Sequence, residues 1–176
     1  MNDLMMLAML LAGPQHGYAL KQQAGMLAGK PSLHNNLVYP LLRRFVQRGW
    51  VRQRPAAGKR GQTRLVYSIT PKGRLALLDR LSKFQQPDAQ SSEAFGLRVG
   101  LFDFLPAESR REILFRRREY LLSLDERFSN LQRKMDLGKY GEEVVRFKRA
   151  NIGAEISWIN RIESLEKISR IPRPRK

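Results

Sequence analysis

The stretch that decides the fold runs from residue 34 to residue 69 and reads HNNLVYPLLRRFVQRGWVRQRPAAGKRGQTRLVYSI. Its first part predicts an amphipathic helix that begins near His34 or Asn35 and stops before Gly49. The apolar residues recur at i, i+3, i+4 and i+7, which places on one helix face Val38, Leu41, Leu42 and Phe45. Pro40 lies beyond the first turn, so we expect it to bend the helix or to delay its regular start.

The second part of the stretch predicts a β-hairpin. Trp50–Arg54 and Arg64–Ile69 are strand-like, and the glycine-bearing, basic residues 55–63 form the predicted loop. Leu65, Tyr67 and Ile69 would lie on one face of the second strand, with Val66 and Ser68 on the other. Thr70 and Pro71 have the residue types of an N-cap and a first helical position, so a further helix should extend to about Phe84.

Two helices are predicted before the third. Leu4, Leu7, Ala8 and Leu11 have helical spacing, and Gly13-Pro14 ends this segment. The next helix should begin near Gln15 and continue to about Leu27. Three helices followed by a basic hairpin have the order of a winged helix-turn-helix. The predicted fold is therefore mostly α with a small β-hairpin, and its winged helix-turn-helix DNA-binding domain covers residues 1–86.

The rest of the chain is predicted to be helical. Residues 87–94 are polar and form the expected linker, and residues 95–176 form the expected helical dimerisation domain with a basic tail. One long helix should run from Pro106 to Leu137, with Gly138 as its stop and Tyr140-Gly141 as a turn, and the last helix should span Glu142–Ile168. A heptad seam in the first and an isoleucine stripe in the second need an apolar partner, and a second copy of the chain would supply it. The predicted dimerisation residues are Leu114, Leu121, Leu124, Phe128, Leu131, Ile152, Ile156 and Ile159.

Charge indicates the kind of partner. The chain has 176 residues and a net charge of +17, and residues 1–86 hold 14 Lys and Arg against two acids, Asp3 and Asp79. Cations that lack acidic partners attract a polyanion, because each neutralised phosphate releases condensed counterions. Double-stranded DNA is the predicted partner. A basic RNA- or ribosome-associated protein is the alternative, and a purely helical adaptor would leave the basic hairpin without a purpose.

The same composition argues against other classes of protein. The chain has no Cys and only two His, His16 and His34, which argues against a metal site and thiol chemistry. The glycine-rich segments lack P-loop or dinucleotide spacing, and no Ser-His-Asp or paired-carboxylate arrangement is evident, so we expect neither an enzyme nor a cofactor. The longest apolar stretch, Leu4–Ala12, is too short for a membrane span, so we expect a cytoplasmic protein.

The third helix and the hairpin loop carry the candidate DNA contacts. An α-helix fits the major groove, where Asn can read adenine and Arg can read guanine or hold a phosphate. The wing loop would contact phosphates or the minor groove. Helix candidates outside the buried stripe are Asn35, Asn36, Tyr39, Arg43 and Arg44, and wing candidates are Lys59, Arg60, Gln62 and Arg64.

Several motifs resemble the PadR-type transcriptional regulators. GPQHGYAL at residues 13–20 is similar to the family's opening motif, and LVYPLLRRFVQRGWV at residues 37–51 is similar to its Leu-Tyr-Pro segment. GQTRLVYSITPKG at residues 61–73 matches the family's wing strand. FGLRVGLFDFL and ISWINRIE resemble parts of its C-terminal helical region, so the resemblance extends over nearly the whole chain.

The resemblance implies a homodimer that binds operator DNA, and the two-fold symmetry implies an inverted-repeat operator. Family members often repress transcription, and some respond to phenolic acids or drug-like molecules. By this resemblance Tyr18 and Tyr39 would contact phosphates, while Asn35 and Asn36 would face bases. A further hypothesis is that a small aromatic effector binds near Phe102 or Trp158. The alternative is that both are core residues, because aromatic residues at helical spacing usually are.

Overall fold

The computed structural model describes residues 2–27, 34–57 and 63–168, which form two compact units. The first comprises Met1–Phe84 and Gly96–Leu105, and the second comprises Gln85–Phe95 and Pro106–Lys176. Most of the described chain is helical and the only sheet among these residues is small. The predicted fold class, a winged helix-turn-helix followed by a helical region, is confirmed.

The first unit contains the three predicted helices, α1 (Asn2–Met9), α2 (Gly17–Leu27) and α3 (Asn35–Gln47), and a fourth, α4 (Pro71–Ser82). A short 3-10 turn, Leu10–Ala12, follows α1. The predicted stripe of α3 is confirmed, because all four of its side chains are buried. They join a core that also contains Leu7, Leu20, Leu77 and Leu81. Pro40 lies inside α3.

The sheet has three antiparallel strands rather than the two predicted. They are β1 (Gln15–His16), β2 (Val51–Ala57) and β3 (Thr63–Ile69), in the order β1-β3-β2. The helix predicted to begin near Gln15 begins two residues later, at Gly17, because Gln15 pairs with Tyr67 on the central strand and its side-chain amide donates to the Met9 carbonyl oxygen at 2.9 Å. Two residues are too few to show an alternating pattern, so β1 is defined by its pairing with β3 and not by the local sequence.

The hairpin strands are longer than the sequence predicted. Pro55, Ala56 and Ala57 were expected in the loop, but they continue β2, where Pro55 lies opposite Leu65. An edge strand tolerates proline, because its outer N–H has no partner in the ladder. The wing tip, residues 58–62, lies outside the described residues.

The second unit is built on two long antiparallel helices, α7 (Ala107–Lys134) and α8 (Gly138–Ile168), which pack against each other. The turn between them lies earlier than predicted. Gly138 begins α8 instead of ending α7, with a φ of +61° that favours glycine, and its N–H donates to the Asp136 carboxylate at 2.9 Å. Residues 135–137 therefore form the connection.

The segment predicted as a linker contains regular structure. It holds α5 (Gln86–Gln90) and most of the first half of α6 (Ser92–Val99), after which a 3-10 turn covers Phe102–Phe104. Gln85 and Asp88 form a reciprocal capping box at the start of α5. The short helices were missed because polar residues in a five-residue helix give no apolar period. The proposed domain boundaries themselves stay a prediction.

Candidate nucleic-acid interface

The outward face of α3 is polar and basic. The buried stripe faces the core, and exposed side chains remain on the other sides of the helix, namely Asn35, Asn36, Arg43, Arg44 and Gln47. His34 precedes the helix in an extended conformation, and its carbonyl oxygen accepts from the N–H groups of Leu37 and Val38. Its side chain makes no capping hydrogen bond, so the N-terminal amides of α3 receive no capping oxygen from it.

Tyr39 links α3 to the start of α2. A Cβ placed on Gly17 would lie 3.0 Å from Tyr39 Cε1 and 3.3 Å from Tyr67 Cε2, so the two rings contact the backbone of this glycine closely. Tyr39 remains partly exposed while Tyr67 is buried. Burial raises the pKa of the Tyr67 phenol, the neighbouring Tyr39 raises it further, and Arg43 opposes the shift. The residues predicted from GPQHGYAL and LVYP therefore lie together.

Tyr18 lies in the first turn of α2 and is exposed. Its hydroxyl oxygen accepts a hydrogen bond from the Gln22 side chain at 2.7 Å, which orients the ring. Tyr18 is not a core residue, since 63% of it is accessible. Its contact with phosphate stays a prediction.

The hairpin carries a row of arginines that sequence reasoning only partly found. In the β2–β3 register Arg52 is opposite Ser68, Arg54 is opposite Val66, and Arg64 is opposite Ala56. Opposed residues leave an antiparallel sheet on the same side and neighbours alternate, so Arg52, Arg54 and Arg64 share one face. All three are exposed, and none forms an ion pair with a described residue. We call these three residues the hairpin arginines.

Arg52 and Arg54 were absent from the predicted site. The sequence predicted that Arg52 and Arg54 lie on a strand. Whether they share a face with Arg64 depends on the β2–β3 register, which could not be predicted because the loop was taken as longer than it is. The strand alternation was the signal that could have found them. The predicted wing contacts Lys59, Arg60 and Gln62 lie outside the described residues.

Few anions compete for these cations. Residues 4–78 contain no Asp or Glu and 12 Lys or Arg. Arg44 is 3.6 Å from Asp3, and the Arg44 side chain is exposed while that of Asp3 is partly exposed, so the pair holds Arg44 only weakly. Arg48, which follows α3, and Arg80 of α4 lie over the Trp50 ring at 4.8 and 4.3 Å, within cation–π distance.

The predicted dimerisation residues fall into two groups in the second unit. Leu114, Leu121, Ile152 and Ile159 are buried within this unit of a single chain, where α7 packs on α8. Leu124, Phe128, Leu131 and Ile156 are only half-buried. Exposed apolar residues lie along the same two helices, including Tyr140, Val144 and Phe147 at i, i+4 and i+7 of α8. A dimer role for any of these residues stays a prediction.

The two candidate effector residues belong to different units. Phe102 is buried in the first unit. Trp158 packs edge-to-face on Phe95 at 5.5 Å within the second unit, and it lines an open surface groove with Arg161 and Leu165. Within the described part of the chain no three His, Asp or Glu side chains are grouped to hold a metal ion. No described helix is long and apolar enough to cross a membrane.

Residues 6–79 match the model of the transcriptional regulator PadR-like family. The chain carries a PadR-like domain. The predicted resemblance is confirmed over these residues, which include α3 and the hairpin, and the PadR-like family is one of regulators rather than enzymes. No curated protein matches the chain.

Several solved structures are similar to the chain. Bacillus subtilis PadR in complex with operator DNA is 19% identical, with 93% of this chain and 97% of that chain covered and a TM-score of 0.46. A PadR family transcriptional regulator from Eggerthella lenta is 27% identical, with coverages of 43% and 66% and a TM-score of 0.36. A transcriptional regulator from Clostridium thermocellum, Cth-833, is 20% identical, with coverages of 44% and 76% and a TM-score of 0.40.

Proposed function

We propose that this protein is a sequence-specific DNA-binding transcriptional regulator, in which α3 enters the major groove and the hairpin contacts the phosphate backbone. The observation that carries the proposal is the combination of an exposed, acid-free α3 face with the hairpin arginines. A helix of this kind offers Asn and Arg side chains to base edges, and the strands offer guanidinium groups to phosphates. The PadR-like match of residues 6–79 supports the same function.

The test compares duplex DNA with structured RNA. Duplexes that bind the protein are selected from fragments of the source genome, and their affinity is measured beside that of a folded RNA at the same salt concentration. We expect an enriched duplex motif that binds at least about 1,000-fold more tightly than random duplex. Equal or tighter binding to structured RNA would contradict the proposal and favour the RNA-associated alternative.

Arg43→Ala provides the first variant for this test. Arg43 is exposed on α3, and losing a base or phosphate contact should weaken binding of the selected duplex by about tenfold or more. Arg111→Ala, which removes the same charge from an exposed position on α7, is the matched control and should change affinity little. Equal losses in both variants would mean that only net charge matters.

We also propose that the regulator is a homodimer that binds an inverted repeat and acts as a repressor. Val144 and Phe147 are exposed on α8, and Leu124, Phe128 and Leu131 are half-buried on α7, so one chain leaves apolar surface on both helices. A two-fold interface covers such a surface with a second copy of itself. The symmetry would present two α3 helices to half-sites of opposite orientation.

Response to a small aromatic effector is the remaining part of this proposal. Trp158 is the candidate contact in the second unit, where the α8 groove leaves part of its ring accessible. Titration of phenolic acids and planar cationic drugs against tryptophan fluorescence tests it. If no compound of the panel changes the fluorescence in a saturable way, the effector proposal is contradicted and the regulator works without such a ligand.

A further inference from the structure

An apolar spot interrupts the polar outward surface of α3. Leu37 is 39% exposed, and Pro40, three residues later, is exposed as well. Residues three apart are neighbours on a helix surface, so these two side chains form one patch. Around it lie the polar residues Asn36 and Arg43, which are also exposed.

Leu37 does not belong to the buried stripe. The four stripe residues are at most 3% exposed, and the first of them, Val38, is the next residue along the chain. Leu37 therefore leaves the helix in a different direction, with a large part of its surface open to solvent. A core role does not explain why this position carries a branched apolar side chain.

The position of Leu37 indicates what it would meet. It lies in the first turn of α3, and the N-terminal residues of a recognition helix are those that contact base edges in the major groove. Among the groups on that groove floor, the C5-methyl group of thymine is the apolar one, and it distinguishes T·A pairs by contact with apolar side chains. Asn and Arg can satisfy the hydrogen-bonding groups but not this methyl group.

We infer that Leu37, supported by Pro40, determines specificity by packing on the methyl group of a thymine in each half-site. The inference rests on the proposed function, since it needs α3 in the major groove. Asn36 can read adenine in the same or the neighbouring base pair, so the two residues together specify an A·T-containing step. The ligand is therefore a duplex with a thymine at a fixed position in each half-site.

Deoxyuridine tests this directly, because it pairs as thymine does and lacks only the methyl group. Each thymine of the genome-selected duplex is replaced in turn by deoxyuridine, and the affinity ratio of the two duplexes is measured for the wild-type protein. We expect one position per half-site at which the ratio is about fourfold, the size expected for one methyl group that loses its apolar contact. The other thymines should give ratios near one.

The variant Leu37→Ala then assigns the effect to this side chain. The thymine-to-deoxyuridine ratio at that position should fall to about one, whereas Leu37→Met, which keeps an apolar reach, should retain it. Leu65→Ala is the matched control, because Leu65 is exposed to nearly the same degree, 42%, but lies on β3 of the hairpin. It should leave the ratio unchanged.

The outcomes separate this inference from the proposed function. Tight, sequence-specific duplex binding with no deoxyuridine effect, or with an effect that Leu37→Ala leaves intact, would overturn the role of Leu37 while the regulator function stands. Absence of sequence-specific duplex binding would instead overturn the proposed function and this inference together. Because the deoxyuridine scan uses the wild-type protein, it gives an answer even if Leu37→Ala fails to fold.

Discussion

Gly73 occupies a position on α4 that no larger residue can take. A Cβ at this position would lie 2.0 Å from the Trp50 carbonyl oxygen, a backbone atom that cannot move alone. Thr70 caps the same helix, since its Oγ1 accepts from the Gly73 N–H at 3.0 Å and donates to the Gly49 carbonyl oxygen at 2.7 Å. Gly73 and Thr70 thus hold the start of α4 against Gly49 and Trp50, the residues that precede β2, and so position the hairpin.

Gly73→Ala should therefore destabilise the first unit by about 3 kcal/mol or more, because backbone atoms must separate. Urea unfolding measures this, and the chain's two tryptophans, Trp50 and Trp158, fall in different units, so a Trp158→Phe background reports the first unit alone. Gly153→Ala is the opposite case: nothing lies within 4 Å of its added Cβ, so α8 should gain up to about 1 kcal/mol. Unchanged unfolding of Gly73→Ala would contradict the close approach.

At the scale of elements, the hairpin arginines should act as independent phosphate contacts. Arg54→Ala is expected to weaken all duplex sequences alike and to reduce the slope of log affinity against log salt concentration by about one. Gln53→Ala is the control, since Gln53 is exposed on the same strand but alternates to the other face. A salt slope that both variants leave unchanged would show that this face of the hairpin does not meet the backbone.

A buried arginine joins the elements of the second unit. Arg117 is 2% exposed and donates to the Ala89 carbonyl oxygen of α5 at 2.6 Å, to the Ser92 hydroxyl of α6 at 2.7 Å, and to both Glu155 carboxylate oxygens of α8 at 2.8 Å. These hydrogen bonds explain why a charged side chain is tolerated at this buried position in the α7 heptad seam. Its partners could not be found from local sequence, because they lie 25 to 38 residues away along the chain.

Arg117→Leu should cost about 3 kcal/mol, because it removes four hydrogen bonds and leaves the half-buried Glu155 carboxylate and the Ala89 carbonyl oxygen without their donor. The double variant Arg117→Leu/Glu155→Leu should cost less than the sum of the two single variants, since it leaves no uncompensated charge. Arg118→Leu is the matched control: Arg118 also makes a bidentate pair, with Glu163, but at a more exposed site, and its loss should cost at most about 1 kcal/mol. Strict additivity in the cycle would contradict coupling between Arg117 and Glu155.

The elements also show how far the sequence could predict the fold. Long periodic segments such as α3 were predicted well, because their burial pattern is local. β1 and the continuation of β2 through Pro55 were missed, because pairing with β3 decides them. In the site, Asn36 and Arg43 follow from helical periodicity, whereas Arg52 and Arg54 require a strand register and Leu37 requires its measured exposure.

On the scale of the whole molecule, the charged residues are distributed unevenly along the chain. Residues 4–78 have no acidic residue, whereas the described cations of α7 and α8 include several paired ones, such as Arg118 with Glu163 and Arg149 with Asp125. The hydrogen bond from Arg149 lowers the pKa of Asp125, so this pair keeps its charges at neutral pH. Its contribution to stability is lost as the pH falls through that lowered value, because the carboxylate is then protonated. Unpaired cations suit a polyanion, and paired ones suit a helical surface that packs with protein.

The exposed apolar residues of α8 predict a homodimer in solution. Light scattering at micromolar concentration should give about twice the chain mass of 20.4 kDa. Val144→Asp/Phe147→Asp should return the mass to one chain, because two charges would replace apolar residues on the exposed α8 face. Arg146→Asp, an exposed change on the same helix outside the i, i+4, i+7 series, is the control and should remain dimeric.

Affinity for the selected duplex should fall with the mass, since two linked half-sites bind far more tightly than one. A mass of one chain that does not change with concentration would contradict the dimer. A dimer that survives the α8 changes but is lost when the half-buried Leu124 and Phe128 become Asp would move the interface to α7, where the heptad spacing first predicted it. In either dimer the selected DNA should contain two copies of the half-site in opposite orientation, because the two-fold axis relates the α3 helix of one protomer to that of its partner.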